Sequence, residues 1–137
     1  MDRMSNTPVA RFAAMAGGRY LNLETYRRTG AAVRTPVWFA ADPGAAEPVF
    51  YIYAGAQSGK VKRLRHTSRV QIALCDGRGK VTGNWIDARA DLVSGAASEH
   101  GMRLLDRKYW PWKQLIGLGA WWSGPPARAV IAIRPAS

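Results

Sequence analysis

The segment 58–65, SGKVKRLR, carries residue types that could bind an anion. If the segment forms a helix, Ser58 lies at its start, where free backbone N–H groups and the helix dipole favour negative charge. Lys60 and Arg63 lie one turn apart and could add charge-assisted hydrogen bonds at the same end. Ser58, Lys60 and Arg63 are therefore predicted to form a cradle for a phosphate group.

The same segment has two other interpretations, which spacing alone does not separate from the cradle. It could be the solvated basic face of a helix. Five Lys or Arg residues also fall within ten positions (60, 62, 63, 65 and 69), as they would in a patch that binds nucleic acid.

Metal and cysteine chemistry is not indicated. His66 and His100 are far apart, and neither has a carboxylate at a metal-binding spacing, so no metal site is predicted. Cys75 is the only cysteine, which excludes an internal disulfide framework and any CxxC pattern. We expect Cys75 to be a buried thiol at a strand end, in a protein of the reducing cytoplasm.

Short strands joined by turns are predicted to position these residues. Runs rich in aromatic and β-branched residues predict six strands, at 20–26, 31–40, 48–55, 69–76, 84–93 and 128–134. Helices are predicted from Pro8 to the glycines at 17–18, within 57–68, and from 98 to about 109. Pro36 implies an edge position or a bulge in the second strand. Hairpin-linked short strands favour an antiparallel barrel.

Composition is that of one globular domain, predicted to span 1–137. The chain has 137 residues, of which 47% are hydrophobic and 21% charged, and its net charge is +11. That excess favours polyanions, anionic membranes or a small phosphorylated ligand. A membrane span needs about 20 consecutive apolar residues. No such run is present, and no targeting segment is recognised.

Five blocks in the same order resemble the split-barrel flavin- and deazaflavin-binding family related to pyridoxamine 5'-phosphate oxidase. The branch most similar to this chain comprises small deazaflavin (coenzyme F420)-dependent oxidoreductases. The blocks are 20–30 (YLNLETYRRTG), 35–39 (TPVWF), 58–65 (SGKVKRLR), 75–85 (CDGRGKVTGNW) and 107–109 (RKY).

The resemblance implies a mainly β fold with flanking helices: a six-stranded antiparallel split β-barrel, also called the FMN-binding split barrel. It also implies a homodimer with the cofactor in a groove at the interface. In the family, a Ser-x-Lys-x-x-Arg pattern binds the cofactor phosphate, and the second strand runs along the ring. The residues thereby assigned to cofactor binding are Ser58, Lys60, Arg63, Pro36, Val37 and Trp38.

The function expected from the resemblance is that of an oxidoreductase. It would transfer a hydride between reduced coenzyme F420 and an unsaturated, small-molecule organic acceptor. FMN would fit the same cradle, so an FMN-binding flavoprotein is an alternative. A non-catalytic cofactor carrier and a basic nucleic-acid-binding module are the others, although nucleic acid and membrane are not the expected partners. No catalytic residue is assigned, and either solvent or Tyr26 could donate the accompanying proton.

The chain departs from the family pattern at two kinds of position. Asn22 and Glu24 are more polar than the first strand usually carries, and Glu24 is predicted to point away from an anionic cofactor. The tryptophans of the later part of the chain look particular to it, and they could cover the groove or form a dimer contact. They are Trp110, Trp112, Trp121 and Trp122.

Overall fold

The computed structural model describes residues 7–109 and 128–136. The helices are α1 (Pro8–Ala14), followed by a 3₁₀ turn (Met15–Gly17), α2 (Gly59–His66) and α3 (Gly95–Tyr109). The strands are β1 (Tyr20–Tyr26), β2 (Ala32–Trp38), β3 (Ala40–Ala41), β4 (Phe50–Gly55), β5 (Arg69–Cys75), β6 (Ile86–Val93) and β7 (Arg128–Pro135). No helix in these ranges is long and apolar enough to cross a membrane.

All seven strands form one antiparallel sheet in the order β2-β1-β5-β6-β7-β4-β3. The prediction of a mainly β, antiparallel fold with flanking helices is confirmed. Pro36 lies in β2, an edge strand that pairs with β1 alone among the described strands, where a residue without a backbone N–H is tolerated.

The expectation of six strands is wrong, because the second predicted strand is divided at Phe39. Its first part pairs with β1, whereas its last residue, Ala40, begins the two-residue strand β3, which pairs with β4. The N–H of Phe39 donates to the hydroxyl oxygen of Tyr109 at 2.9 Å, which replaces a ladder bond with a side-chain bond. The Nζ of Lys108 donates to the Phe39 carbonyl at 2.7 Å.

The break at Phe39 explains why the sheet is curled. β2 and β3 are the two edges of the sheet, yet Phe39 alone separates them along the chain. The sheet must therefore curl into a half-barrel whose edges meet at this residue. Its interior is apolar, with Phe12, Phe39 and Phe50 almost fully buried.

Helix α3 packs outside the curled sheet and determines where Tyr109 lies. A β-carbon at Gly101 would stand 2.7 Å from the Tyr51 ring and 2.9 Å from Val130, so only glycine permits this approach. Leu105 and Tyr109 are buried on the same face of the helix. The C-terminal end of α3 is thereby held beside the Phe39 junction.

Candidate functional site

A cavity of about 360 Å³ lies between β2 and β4, with α2 at one end. This volume is within the range of small-molecule sites. Its lining residues are Tyr20, Pro36, Val37, Trp38, Tyr53, Ala54, Lys60 and Gly77. Four of the six predicted cofactor-binding residues therefore surround one space: three from β2, and Lys60 from the first turn of α2.

Ser58 does not line the cavity and has a local role at the start of α2. Its side-chain oxygen accepts a hydrogen bond from the Val61 N–H at 3.4 Å, which makes it the N-cap of α2. The predicted helix start is confirmed. The capping bond occupies one acceptor position of the hydroxyl that was assigned to the phosphate.

Arg63 does not line the cavity either, but its guanidinium folds back over the start of α2. Its Nε donates to Thr25 Oγ1 at 2.6 Å. A β-carbon at Gly59 would stand 2.6 Å from a terminal nitrogen of Arg63, so glycine leaves the space that the guanidinium occupies. The positive charge therefore lies beside the first-turn N–H groups of the helix, where an anion is favoured.

The cations at this end of the cavity have no acidic partner among the described residues. Burial lowers the pKa of Lys60, and nearby Arg63 lowers it further. Burial also lowers the pKa of Arg63, and Arg27 adds to the effect. Across residues 7–109 and 128–136, none of these three cations forms an ion pair. An anion bound here would offset the repulsion between these cations and favour their charged forms.

The β2 side of the cavity presents flat, apolar surface. Trp38 stacks on Tyr109 with ring centroids 4.8 Å apart and an interplanar angle of 7°. The Tyr109 hydroxyl is fixed in turn at Phe39, so the indole is held from behind. Pro36 and Val37 extend this surface along the strand.

Two further lining residues, Tyr20 and Tyr53, were not predicted from the sequence. Tyr20 is the register partner of Trp38, so a correct pairing of the first hairpin could have placed it at the site. Tyr53 comes from β4, with Arg128 lying 5.0 Å above its ring centroid. Burial raises the pKa of Tyr53, which keeps its hydroxyl protonated near neutral pH.

Tyr26, considered as a proton donor, is directed away from the cavity. Its hydroxyl lies 3.3 Å from Glu24 Oε2, and Arg69 lies 5.2 Å above its ring. Burial and the Glu24 carboxylate raise the pKa of Tyr26. Glu24, itself buried, also accepts from Arg34 at 3.4 Å, so its carboxylate is engaged by Tyr26 and Arg34 and not at the cradle.

The other sequence candidates lie apart from the cavity. Cys75 is buried at the end of β5, where burial raises the pKa of its thiol. His100 bonds to Asp42 at 2.7 Å. Within the described ranges, no group of three His, Cys, Asp or Glu side chains could hold a metal ion. The four tryptophans from 110 to 122 lie outside the described residues.

The family model described as Pyridoxamine 5'-phosphate oxidase matches residues 13–137, which is most of the chain. The chain belongs to the pyridoxamine 5'-phosphate oxidase family. No curated protein matches its sequence.

Solved structures of the pyridoxamine 5'-phosphate oxidase-like fold are similar to the chain at low identity. A Listeria innocua protein described as a pyridoxamine 5'-phosphate oxidase is 14% identical, with a TM-score of 0.63 and coverage of 95% of this chain and 94% of that one. An F420 reductase is 21% identical, with a TM-score of 0.56 and coverages of 90% and 92%. HutZ, a heme storage protein from Vibrio cholerae, is 14% identical, with a TM-score of 0.61 and coverages of 93% and 87%.

These pyridoxamine 5'-phosphate oxidase-like neighbours have mixed functions, so the likeness shows the fold alone. The chemistry has to be inferred from the residues of the site. The site of this family member offers two kinds of contact. Lys60 and the start of α2 can hold an anionic group. Trp38, Val37 and Pro36 can support a flat ring beside it.

Proposed function

We propose that the chain is an oxidoreductase that binds coenzyme F420 in this cavity and acts on an unsaturated organic acceptor. The observation that carries the proposal is the position of Lys60 in the same cavity as Pro36, Val37 and Trp38. A cofactor with a phosphate and a flat heterocycle needs both kinds of contact at once. The family and the F420 reductase neighbour support the same class of cofactor.

The phosphate end of the ligand would be held by the start of α2. The Lys60 ammonium can donate to phosphate oxygens from the cavity wall, and Arg63 adds charge from beside Gly59. Ser58 caps the helix and so holds the first-turn amides in place. The residues fit an anion because the cations there have no acidic partner among the described side chains.

The ring end would lie along β2, with Trp38 backed by Tyr109 as its firmest support. When bound, the deazaflavin supplies the carbon that carries the hydride. The chain's part is to orient the ring, keep water from it and leave one face open to the acceptor. Tyr20 and Tyr53 are the hydroxyl-bearing side chains of the lining.

FMN is the alternative cofactor, because a cradle for one phosphate beside a flat apolar surface suits it as well. We further propose that the chain acts as a homodimer. The support is the exposed edge position of β2, where Pro36 lies both at the cavity and on the surface. A second copy could supply the wall that the cavity lacks on this side.

The absorption spectrum of the purified protein, with mass spectrometry of any released ligand, tests the cofactor assignment. A bound deazaflavin supports the proposal. Bound FMN would keep the site but make FMN its cofactor in place of coenzyme F420. A colourless protein that takes up neither on titration contradicts the oxidoreductase assignment. Light scattering tests the assembly: a species of 15.0 kDa, the mass of one chain, at micromolar concentration contradicts the homodimer.

A further inference from the structure

Asn22 is a buried amide with only part of its hydrogen-bonding capacity used. It lies in β1 with 6% of its surface exposed. Its Nδ2 donates to the carbonyl of Gly79 at 3.0 Å, across 57 positions of the chain. Its Oδ1 is buried without a hydrogen-bond partner in the described part of the chain. A buried polar group of this kind calls for an explanation.

The Gly79 carbonyl belongs to a turn that holds its own shape. Asp76 Oδ1 accepts from the N–H groups of Arg78 and Lys80, each at 2.9 Å. The Gly79 N–H donates to the Asp76 carbonyl at 3.0 Å, and Gly79 has a φ of +89°, which glycine readily adopts. The turn 76–80 is therefore a self-bonded unit, and Asn22 joins it to the sheet.

This turn forms part of the cavity wall. Gly77 lines the cavity, and a β-carbon built on it would stand 3.5 Å from the ring of Tyr20. A β-carbon on Gly79 would stand 3.4 Å from Cγ of Pro36. Tyr20 and Pro36 are themselves lining residues. Because Asn22 is the register partner of Pro36, its bond to Gly79 lies directly beside the cavity.

The energetics argue against a purely stabilising role for Asn22. An apolar side chain of similar size would remove the orphaned acceptor, and the Gly79 carbonyl that loses its donor is only half-buried, so water can reach it. The two effects offset each other, so the amide adds little to stability. A buried residue that breaks this local rule is expected where function requires it.

We propose that Asn22 is a positioning residue, which fixes the turn 76–80 as a wall of the cavity and thereby sets the affinity for a flat cofactor ring. This inference rests on the proposed function, since it assumes that a flavin or deazaflavin occupies the cavity. It adds to that function a residue that touches no ligand and acts through the position of Gly77 and Gly79.

Two substitutions and a matched control test the inference. Asn22→Leu removes the amide, and Asn22→Asp keeps the shape but removes the donor to Gly79. The control, Gln71→Leu, removes a side-chain amide on the neighbouring β5 whose bond goes to Asp87 at 2.8 Å, away from the turn. Hydrogen exchange of the Gly79 and Lys80 amides, denaturant unfolding, and titration with F420 and with FMN are measured for each.

Both Asn22 variants should exchange these amides about tenfold faster than the control and bind the preferred cofactor about tenfold more weakly. Asn22→Leu should nevertheless unfold at the same or higher denaturant concentration, a combination that a merely structural residue would not show. Wild-type affinity in Asn22→Asp, or unchanged exchange in both variants, overturns the inference. Should the wild type bind neither cofactor, the proposed function fails, whereas the exchange comparison still decides whether Asn22 holds the turn.

Discussion

The guanidinium of Arg63 occupies the space that a side chain at Gly59 would fill, with one terminal nitrogen 2.6 Å from the position of the missing β-carbon. Gly59 and Arg63 are thus coupled, because a side chain at position 59 would collide with the observed conformation of Arg63. Thr25 Oγ1 accepts a hydrogen bond from Nε of the same guanidinium at 2.6 Å. The position of the positive charge at the start of α2 therefore depends on Gly59, Arg63 and Thr25.

Gly59→Ala should therefore weaken cofactor binding without harming the helix. Alanine is the better helix former by about 0.5–1 kcal/mol, and Arg63 is flexible enough to move aside. The displaced charge should weaken cofactor binding about tenfold in a calorimetric titration. Gly17→Ala is the control, since nothing lies within 4 Å of its β-carbon and its φ is not positive. Equal affinity in the two variants would mean that the position of Arg63 is unimportant.

Replacing Lys60 and Arg63 together by Ala should weaken cofactor binding by about 3–6 kcal/mol, or two to four decades in the dissociation constant. The loss of the bond to Thr25 should also lower the free energy of unfolding by about 1 kcal/mol. The Lys62→Ala, Arg65→Ala double variant removes the same charge from two exposed positions of α2. It should lose less than about one decade, mostly at low salt. Equal losses in the two variants would indicate a diffuse basic patch.

Tyr109→Phe should destabilise the fold, because the buried N–H of Phe39 loses its acceptor. The expected cost is about 1–3 kcal/mol in denaturant unfolding. The stack on Trp38 uses the ring alone and should survive. Tyr26→Phe removes a hydroxyl whose bond to Glu24 is longer, at 3.3 Å, and Arg34 still pairs with that carboxylate, so it should cost less, at most about 1 kcal/mol. An unchanged free energy of unfolding in Tyr109→Phe would mean that this hydrogen bond does not stabilise the strand break at Phe39.

The pair between Asp42 and His100 should make stability depend on pH in the acid range. The hydrogen bond from His100 lowers the pKa of Asp42. A carboxyl whose pKa is lowered on folding stabilises the protein above its unfolded pKa of about 4, and this contribution is lost as pH falls through the folded pKa. Wild type should exceed Asp42→Asn in unfolding free energy at pH 6 by about 1 kcal/mol, since the pair is partly exposed. That difference should shrink towards pH 3. A difference that stays constant would exclude the ion pair as its source.

The parts of the site that depend on residues close together in the chain could be predicted from the sequence. Ser58 as a cap, Lys60 in the first turn of α2 and Pro36 on an edge strand follow from residue type and spacing. Contacts between distant segments decide the rest. The strand break at Phe39 depends on Lys108 and Tyr109, some seventy positions later.

Arg63 shows the same limit within the predicted cradle. Its helical spacing from Lys60 was correct, yet its direction is set by Thr25, which lies 38 positions earlier. Tyr53 enters the cavity only because β4 lies beside β7 in the curled sheet. Neither contact leaves a periodic pattern that sequence could show.

Calorimetric titration of the cofactor-free protein with coenzyme F420 and with FMN decides whether this cavity is a cofactor site. One molecule should bind per chain, F420 should bind more tightly than FMN, and the binding of both should be lost when Lys60 and Arg63 are replaced by Ala. Binding of neither cofactor at concentrations up to about 1 mM would contradict the assignment of this cavity. Binding that the double variant retains at full strength would contradict it equally.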